Sequence, residues 1–252
     1  MYNKLDKVAI NYLIKIRTPY GHYHKNLNLN MNPYIHTVSD NIDVLNLNLL
    51  IKSYKYLFHN FSEMFLKRNS FFIVGTNPLL PMTSLLNHWV NKYPMSIEKN
   101  GRFTSYYISG FIDKKWIEGL FTNWKIFYKF IGLINNYVDG QKKRFKYEKY
   151  FTYLKGIVNL KKQPIPDFVI MLDDNYEALH ELHHFQIPLI GIVDSNMDPK
   201  HFLYKFYGNN DSKEHLEFFF EFLSETIKDG RLREQEMFLS FLLKKLNKNC
   251  YD

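Results

Sequence analysis

One short segment of the chain has the residue types of a metal-dependent hydrolase. The residues His180-Glu181-Leu182-His183-His184 follow the pattern H-E-x-x-H. On a helix this spacing places two histidines on one face, where they can hold zinc, and adds a glutamate that can act as a general base. A zinc-dependent hydrolase that uses His180, Glu181 and His184 is therefore one hypothesis for this sequence.

The residues around this motif argue against a zinc site. Such an enzyme needs a third ligand, yet Ile187 and Ile190 stand where the extended motif has its glycine and its third histidine. Ala178, Leu182 and Phe185 form the apolar face of the predicted helix, which leaves the motif's histidines and glutamate toward solvent. We therefore expect no bound metal, no cofactor and no enzymatic activity.

Four aspartates could form a second kind of site, because they follow two predicted strands. They are Asp173, Asp174, Asp194 and Asp198. The carboxyl ends of parallel strands lie at one edge of an α/β sheet, where such sheets bind ligands, so a Mg²⁺ or phosphate site could form there. The alternative, which we favour, is that these residues cap helices and close turns. The turn at residues 75–78 has one glycine and a proline, which does not support binding of a dinucleotide.

The hydrophobic pattern predicts the elements that would position these residues. Short apolar runs at 71–74, 168–172 and 187–193 predict buried strands, and spacings of three and four predict an amphipathic helix over 47–67. A helix capped by Asp173 or Asp174 lies between the last two strands. Strand, helix and strand in so few residues require a parallel crossover, and continuous apolar strands indicate a sheet covered on both faces. The predicted class is α/β with a doubly wound, mostly parallel sheet.

The remaining segments complete the predicted organisation. The region 124–157 is highly charged and lacks a strand pattern, which predicts a helical hairpin that protrudes from the sheet. Asp211 can cap a helix that Gly230 ends, and 232–252 then form a C-terminal helix and tail. A chain of 252 residues can form one α/β domain over 1–252. No apolar run approaches the roughly 18 residues of a membrane span, so we expect no membrane partner.

Charge is distributed unevenly along the chain. The net charge is +8, but residues 1–162 carry 24 basic and 9 acidic side chains, whereas residues 163–252 carry 9 and 16. This asymmetry predicts that the first part faces a polyanion, with nucleic acid as the leading candidate. The stretch 114–162 interleaves 12 basic and 3 acidic residues with aromatic rings, which suits phosphate neutralisation and base stacking. A solvated helical arm whose rings pack against one another is the alternative.

Six sets of short segments, in order along the chain, resemble the universal S-two family of small-subunit ribosomal proteins. They are Gly21-His22-Tyr23-His24 with Asn32-Pro33-Tyr34-Ile35, then residues 72–76, 115–123, 166–170, 187–199 and 208–212. Each segment alone is a weak signal, but six in the family's order over about residues 20–231 are specific. Glu118 replaces a glycine of the family pattern, Lys115 an arginine and Asn210 an aspartate.

The resemblance implies a flavodoxin-like sheet with a protruding helical hairpin, no enzymatic activity and no small-molecule substrate. It implies ribosomal RNA of the small subunit and other small-subunit ribosomal proteins as partners, and it places the H-E-x-x-H residues on an ordinary crossover helix. Together with the basic first part of the chain, it predicts a set of RNA-binding residues. These are Gly21, His22, Lys25, Lys114, Lys115, Trp116, Thr122, Asn123 and Lys125.

Composition points to an organellar source. Lysines outnumber arginines 27 to 6, alanine occurs twice, and Asn, Phe and Tyr are abundant, a bias that follows A/T-rich codons. With the drift from the family motifs, this predicts a mitochondrial member rather than a plastid or bacterial one. The single cysteine, Cys250, excludes an intramolecular disulfide and is compatible with a reducing compartment.

Overall fold

The computed structural model describes residues 4–78, 80, 84–86, 96–99, 102–105, 108–127, 129 and 165–249. The predicted hairpin over 124–157 lies outside these residues apart from 124–127 and 129, so it stays a prediction. Within the described part of the chain, no helix is both long and apolar enough to cross a bilayer.

The described elements follow one another in the order of an α/β protein. They are α1 (Lys4–Lys15), β1 (Tyr20–Tyr23), β2 (Ile35–Ser39), β3 (Ile42–Leu45), α2 (Leu47–Leu66), β4 (Phe71–Val74), β5 (Ser96–Lys99), β6 (Arg102–Ser105), β7 (Ile108–Ile112), β8 (Phe168–Met171), α3 (Tyr176–His184), β9 (Leu189–Val193), β10 (Tyr204–Tyr207) and α4 (Lys213–Asn249). Short 3-10 turns cover His24–Asn26, Leu29–Tyr34 and Pro199–His201.

The central sheet has five strands in the order β10-β9-β8-β4-β7, and every neighbouring pair is parallel. Counted along the chain within this sheet, the order is 2-1-3-4-5, which is the flavodoxin-like arrangement. Every residue of β4, β8 and β9 is buried, as continuous apolar strands require. The predicted α/β class and doubly wound, mostly parallel sheet are confirmed.

Two layers cover the opposite faces of this sheet. The ring of Phe65 on α2 lies 5.7 Å from that of Phe71, centroid to centroid, whereas Phe72 meets Phe121, at 5.6 Å, from the segment after β7. Successive side chains of a strand point to opposite faces, so α2 and the Phe121 segment lie on opposite sides of β4. A small antiparallel sheet, β1-β3-β2, carries the Gly21-His22 segment, and β5 pairs with β6.

The helix boundaries correct two predicted caps. The N-cap of α3 is Asn175, whose side-chain oxygen accepts from the Ala178 N–H, and not Asp173 or Asp174. Helix α4 begins at Lys213, where the hydroxyl of Ser212 accepts from the backbone N–H of the third helical residue, so Asp211 lies outside the helix. The predictions failed because any nearby Asp or Asn can serve as a cap, and backbone geometry chooses among them.

Helix α4 also continues where the sequence predicts an end. It runs unbroken through Gly230 to Asn249, so the separate C-terminal helix from residue 232 is wrong. A Cβ placed on Gly230 would lie 2.8 Å from the backbone oxygen of Ser62 and 2.9 Å from the Cβ of Phe65. Glycine is therefore needed at this position because α2 and α4 approach each other closely, and not to end the helix.

This contact makes Gly230→Ala a sharp test of the helix packing. Helix propensity alone would stabilise the variant by about 1 kcal/mol, because alanine favours helix over glycine. Overlap with the backbone of α2 should outweigh that gain and give a net loss of about 1–3 kcal/mol in the free energy of unfolding, measured in urea. Ser240→Ala, at an exposed position of the same helix, should change stability by less than about 0.5 kcal/mol. A Gly230→Ala protein as stable as the parent would contradict the close approach.

Candidate nucleic-acid interface

The segment that follows β7 has a buried side and an exposed cationic side. We call residues 113–123 the Trp116 loop. Trp116, Leu120 and Phe121 are at most 3% exposed. Lys114 and Lys115 are exposed at its start, and Thr122, Asn123 and the adjoining Lys125 are exposed at its end. The loop thus adds its apolar residues to the core and presents its cations to solvent.

One carboxylate from α3 holds this loop by five hydrogen bonds. Glu181 accepts from the Trp116 indole N–H at 3.1 Å and from the Thr122 hydroxyl at 3.1 Å. It also accepts from the backbone N–H groups of Gly119, Phe121 and Thr122 at 3.0, 2.8 and 2.9 Å. Gly119 has φ +76°, a left-handed conformation that glycine adopts without strain and that turns the chain between these donors. The N–H groups therefore form a concave anion site that Glu181 fills.

This geometry corrects two predictions from the sequence. Glu181 does not point to solvent: it is 8% exposed and directed into the protein. Trp116 is 2% exposed, so its ring packs in the core and is not presented for stacking on a base. The prediction for Glu181 follows from the apolar face of the helix, and that for Trp116 follows from the resemblance and the neighbouring cations, whereas a polar contact between the two segments decides both.

The same geometry removes the basis of the zinc hypothesis. A general base needs a carboxylate that can reach a bound water, and both oxygens of Glu181 already accept hydrogen bonds from the loop. His180 and His184 line an open groove of about 560 Å³ between α3 and the Trp116 loop. Within the described residues, no group of three or more His, Cys, Asp or Glu side chains is placed to hold a metal ion.

The second predicted segment, at Gly21 and His22, packs against the loop that follows β9. A Cβ on Gly21 would lie 2.6 Å from the Ser195 hydroxyl oxygen, so only glycine fits there. The same hydroxyl accepts from the His22 N–H at 2.9 Å, and the Ser195 carbonyl accepts from the Asn28 N–H at 2.9 Å. Gly21 therefore allows close packing of β1 on the sheet domain and offers no side chain to RNA.

His22 lies between two carboxylates. Its Nδ1 is 3.3 Å from Asp194 and its Nε2 is 3.1 Å from Asp211. The contact with the carboxylate of Asp194, and then with that of Asp211, raises the pKa of His22 to about 10, so the imidazole is a cation at neutral pH. The pKa of Asp211 is lowered in return by its hydrogen bond with His22. The charge of His22 is thus used inside the protein to join the segments after β9 and β10.

Three of the four aspartates predicted at the carboxyl edge of the sheet accept hydrogen bonds from the protein's own donors, and the fourth, Asp174, is exposed. Asp173 accepts from the backbone N–H of Thr76 at 2.6 Å and from its hydroxyl at 2.8 Å, and burial raises its pKa to about 6. Asp198 caps the turn at Pro199–His201 and accepts from the Asn30 side chain at 3.0 Å. Asp194 is fully buried and accepts from the backbone N–H of Asn210 at 3.2 Å. These contacts support the interpretation that the aspartates close turns and connect loops, rather than form a magnesium or phosphate site.

The structure divides the predicted RNA-binding residues into two groups. Lys25, Lys114, Lys115, Asn123 and Lys125 are exposed, and the Lys25 ammonium lies 5.9 Å from the centre of the Tyr23 ring. The second group is engaged within the protein: Gly21 and His22 in packing, Trp116 in the core, and the Thr122 hydroxyl with Glu181. The sequence did not reveal that Glu181 binds this loop. The available signal was the Trp and the Thr of the 115–123 segment, since both can donate a hydrogen bond to a carboxylate.

The ion pair of His22 predicts a specific pH dependence. Its pKa in the folded state lies above the ordinary value of 6.5, so its contribution is complete below that value and is lost as the pH rises through about 10. His22→Gln should therefore lower the free energy of unfolding by about 1–3 kcal/mol between pH ~5 and ~6.5, and the difference should vanish above pH ~10. His36→Gln, at an exposed position of β2, is the control and should follow the parent protein. A deficit that does not depend on pH would contradict the ion pair.

Comparison with known proteins identifies the family. A family model described as Ribosomal protein S2 matches residues 13–230. The small ribosomal subunit protein uS2 of Ehrlichia ruminantium (strain Gardel) is 27% identical over 244 residues, covering 90% of this chain and 78% of that protein. The protein of the same name from Wigglesworthia glossinidia brevipalpis is 24% identical over 246 residues, covering 92% and 96%. The family model spans most of the chain, and the central sheet has the strand order expected from the sequence motifs. The chain therefore belongs to the ribosomal protein S2 family.

Proposed function

We propose that this chain is a structural constituent of the small subunit of a mitochondrial ribosome. It binds small-subunit ribosomal RNA through exposed cations and polar groups on two segments, and it contacts neighbouring ribosomal proteins. The RNA-binding residues are Lys25, Lys114, Lys115, Asn123 and Lys125. The matched family model and the relatives named above are those of ribosomal proteins, so the comparisons indicate no catalytic family.

The observation that carries the RNA proposal is the two-sided Trp116 loop. Its inner side is fixed by core packing and by Glu181, so the lysines on its outer side project from a defined backbone. The Trp116 loop directly follows β7. Ser195, which contacts Gly21 and His22, lies in the segment that directly follows β9. These strands are parallel members of one sheet, so both segments lie at its carboxyl edge. Cations at one edge of a sheet suit the regularly spaced phosphates of RNA.

The mitochondrial part of the proposal is supported by composition. The excess of lysine over arginine, 27 to 6, and the near absence of alanine follow an A/T-rich coding bias that is typical of organellar genomes. Sedimentation of the native protein tests this part: it should travel with the small subunits of mitochondrial ribosomes in a gradient. Recovery with plastid or bacterial-type cytoplasmic ribosomes would refute the mitochondrial assignment and leave the family unchanged.

RNA affinity should depend strongly on salt, because the lysines release counterions from the phosphates they neutralise. Binding of the full chain to in vitro transcribed small-subunit rRNA should weaken by at least tenfold between about 50 and 200 mM salt. Lys114→Ala/Lys115→Ala should lower affinity further and reduce the slope of log K against log salt by about 1–2.

A matched pair of lysines serves as the control for this measurement. Lys213→Ala/Lys228→Ala removes the same charge from exposed positions of α4, in the acidic part of the chain. It should change the salt slope by less than the loop variant does. Equal effects of the two double variants would mean that RNA responds to net charge only, and the assignment of the Trp116 loop would be wrong.

A further inference from the structure

We propose that Glu181 is a positioning residue for RNA binding: its carboxylate fixes the backbone of residues 116–122, and thereby the direction in which Lys114, Lys115 and Asn123 meet RNA. This inference rests on the proposed function and deepens it. Glu181 itself touches no RNA, because it is buried beneath the loop that it holds.

The hydrogen bonds of Glu181 are distributed so that they fix the whole loop. Trp116 near its start, Gly119 at its turn and Thr122 near its end all donate to the same carboxylate. Each oxygen serves a different half of the loop, because Oε2 accepts from Trp116 and Gly119 while Oε1 accepts from Phe121 and Thr122. Loss of one oxygen as an acceptor would therefore release either the first half of the loop or the second.

Backbone hydrogen bonds within the loop also support its turn. The Asn123 N–H donates to the Gly119 carbonyl at 2.8 Å, and the Asn123 side-chain nitrogen lies 2.8 Å from the point that a Cβ on Gly119 would occupy. The conformation at Gly119 thus sets the place of Asn123, and the Gly119 N–H is itself held by Glu181. A chain of direct contacts therefore leads from Glu181 to a residue on the outer side of the loop.

A fixed loop favours binding because less conformational entropy is lost when its side chains meet RNA. This benefit opposes the direct electrostatic effect of Glu181, since a negative charge below an RNA-binding surface repels phosphate. The two effects have opposite signs, which separates positioning from charge in a single substitution. Glu181→Gln removes the charge, and it also places an amide N–H₂ against donors that need an acceptor.

The experiment measures affinity of the full chain for in vitro transcribed small-subunit rRNA. Glu181→Gln should weaken binding about three- to tenfold, although the protein becomes more positive, and should reduce the salt slope because fewer lysines reach phosphates. Glu177→Gln is the matched control: it lies exposed on the same helix, loses the same charge and should bind RNA as tightly as the parent or more tightly. Parental or tighter binding by Glu181→Gln would overturn the inference.

A double-mutant cycle shows whether Glu181 acts through the lysines. In the Lys114→Ala/Lys115→Ala background, Glu181→Gln should cause much less than its three- to tenfold loss, because the residues it positions are gone. Equal losses in both backgrounds would mean that Glu181 acts independently of the lysines and would overturn positioning. If Lys114→Ala/Lys115→Ala binds RNA as tightly as the parent, the proposed RNA contact of the Trp116 loop is itself refuted. Failure of the proposed function is thus distinguished from failure of the positioning role of Glu181.

A milder variant covers the case in which Glu181→Gln does not fold. Trp116→Phe keeps an aromatic ring in the core and removes one of the five donors to Glu181. Trp116→Phe should lower RNA affinity by less than Glu181→Gln does. It should also speed hydrogen exchange at the Gly119 amide, which donates to the same carboxylate oxygen as the Trp116 indole. Faster exchange with unchanged RNA affinity would show that the loop needs no fixed conformation to bind, and would overturn the inference.

Discussion

The contact between the Glu181 carboxylate and the Trp116 loop is the interaction on which this region of the structure depends. A buried carboxylate must be satisfied by partners within the protein, and here three backbone N–H groups, an indole and a hydroxyl donate to it. The contact brings Phe121 against Phe72 and so covers one face of the central sheet. It also leaves the lysines of the loop on the outside, so one interaction serves both core packing and the proposed interface.

A second set of polar contacts joins segments that are far apart in the sequence. His22 meets Asp194 and Asp211, and Asn77 donates to the other oxygen of Asp211 at 2.8 Å. The loops after β4, β9 and β10 are thereby tied to β1 at the carboxyl edge of the sheet. In many α/β proteins this edge binds a ligand, but here Asp173, Asp194 and Asp198 accept hydrogen bonds from the protein's own donors. The family motifs in this region therefore hold loops together, and the proposed RNA contacts are assigned to exposed lysines instead.

The H-E-x-x-H segment shows how the same residue types can serve different purposes. In a zinc enzyme the pattern needs two convergent histidines and a free glutamate. In this protein the glutamate accepts hydrogen bonds from a neighbouring loop, and the side chains of His183 and His201 contact each other, with their nitrogens 3.1 Å apart. The local spacing is that of the motif, but the partners of each side chain are those of an ordinary crossover helix.

The sequence by itself determined the features that depend on local pattern. Apolar runs located β4 to the residue and β8 and β9 to within two residues, and periodicity located α2, because burial of a strand or a helix face leaves a regular trace in its own residues. Ordered motifs identified the family, and through it the sheet order. Tertiary structure alone decided that Glu181 and Trp116 are buried together, that His22 is an internal cation and that Gly230 is a close contact between helices. Each of these depends on a partner tens to hundreds of residues away, and no local pattern records which distant side chain will be the partner.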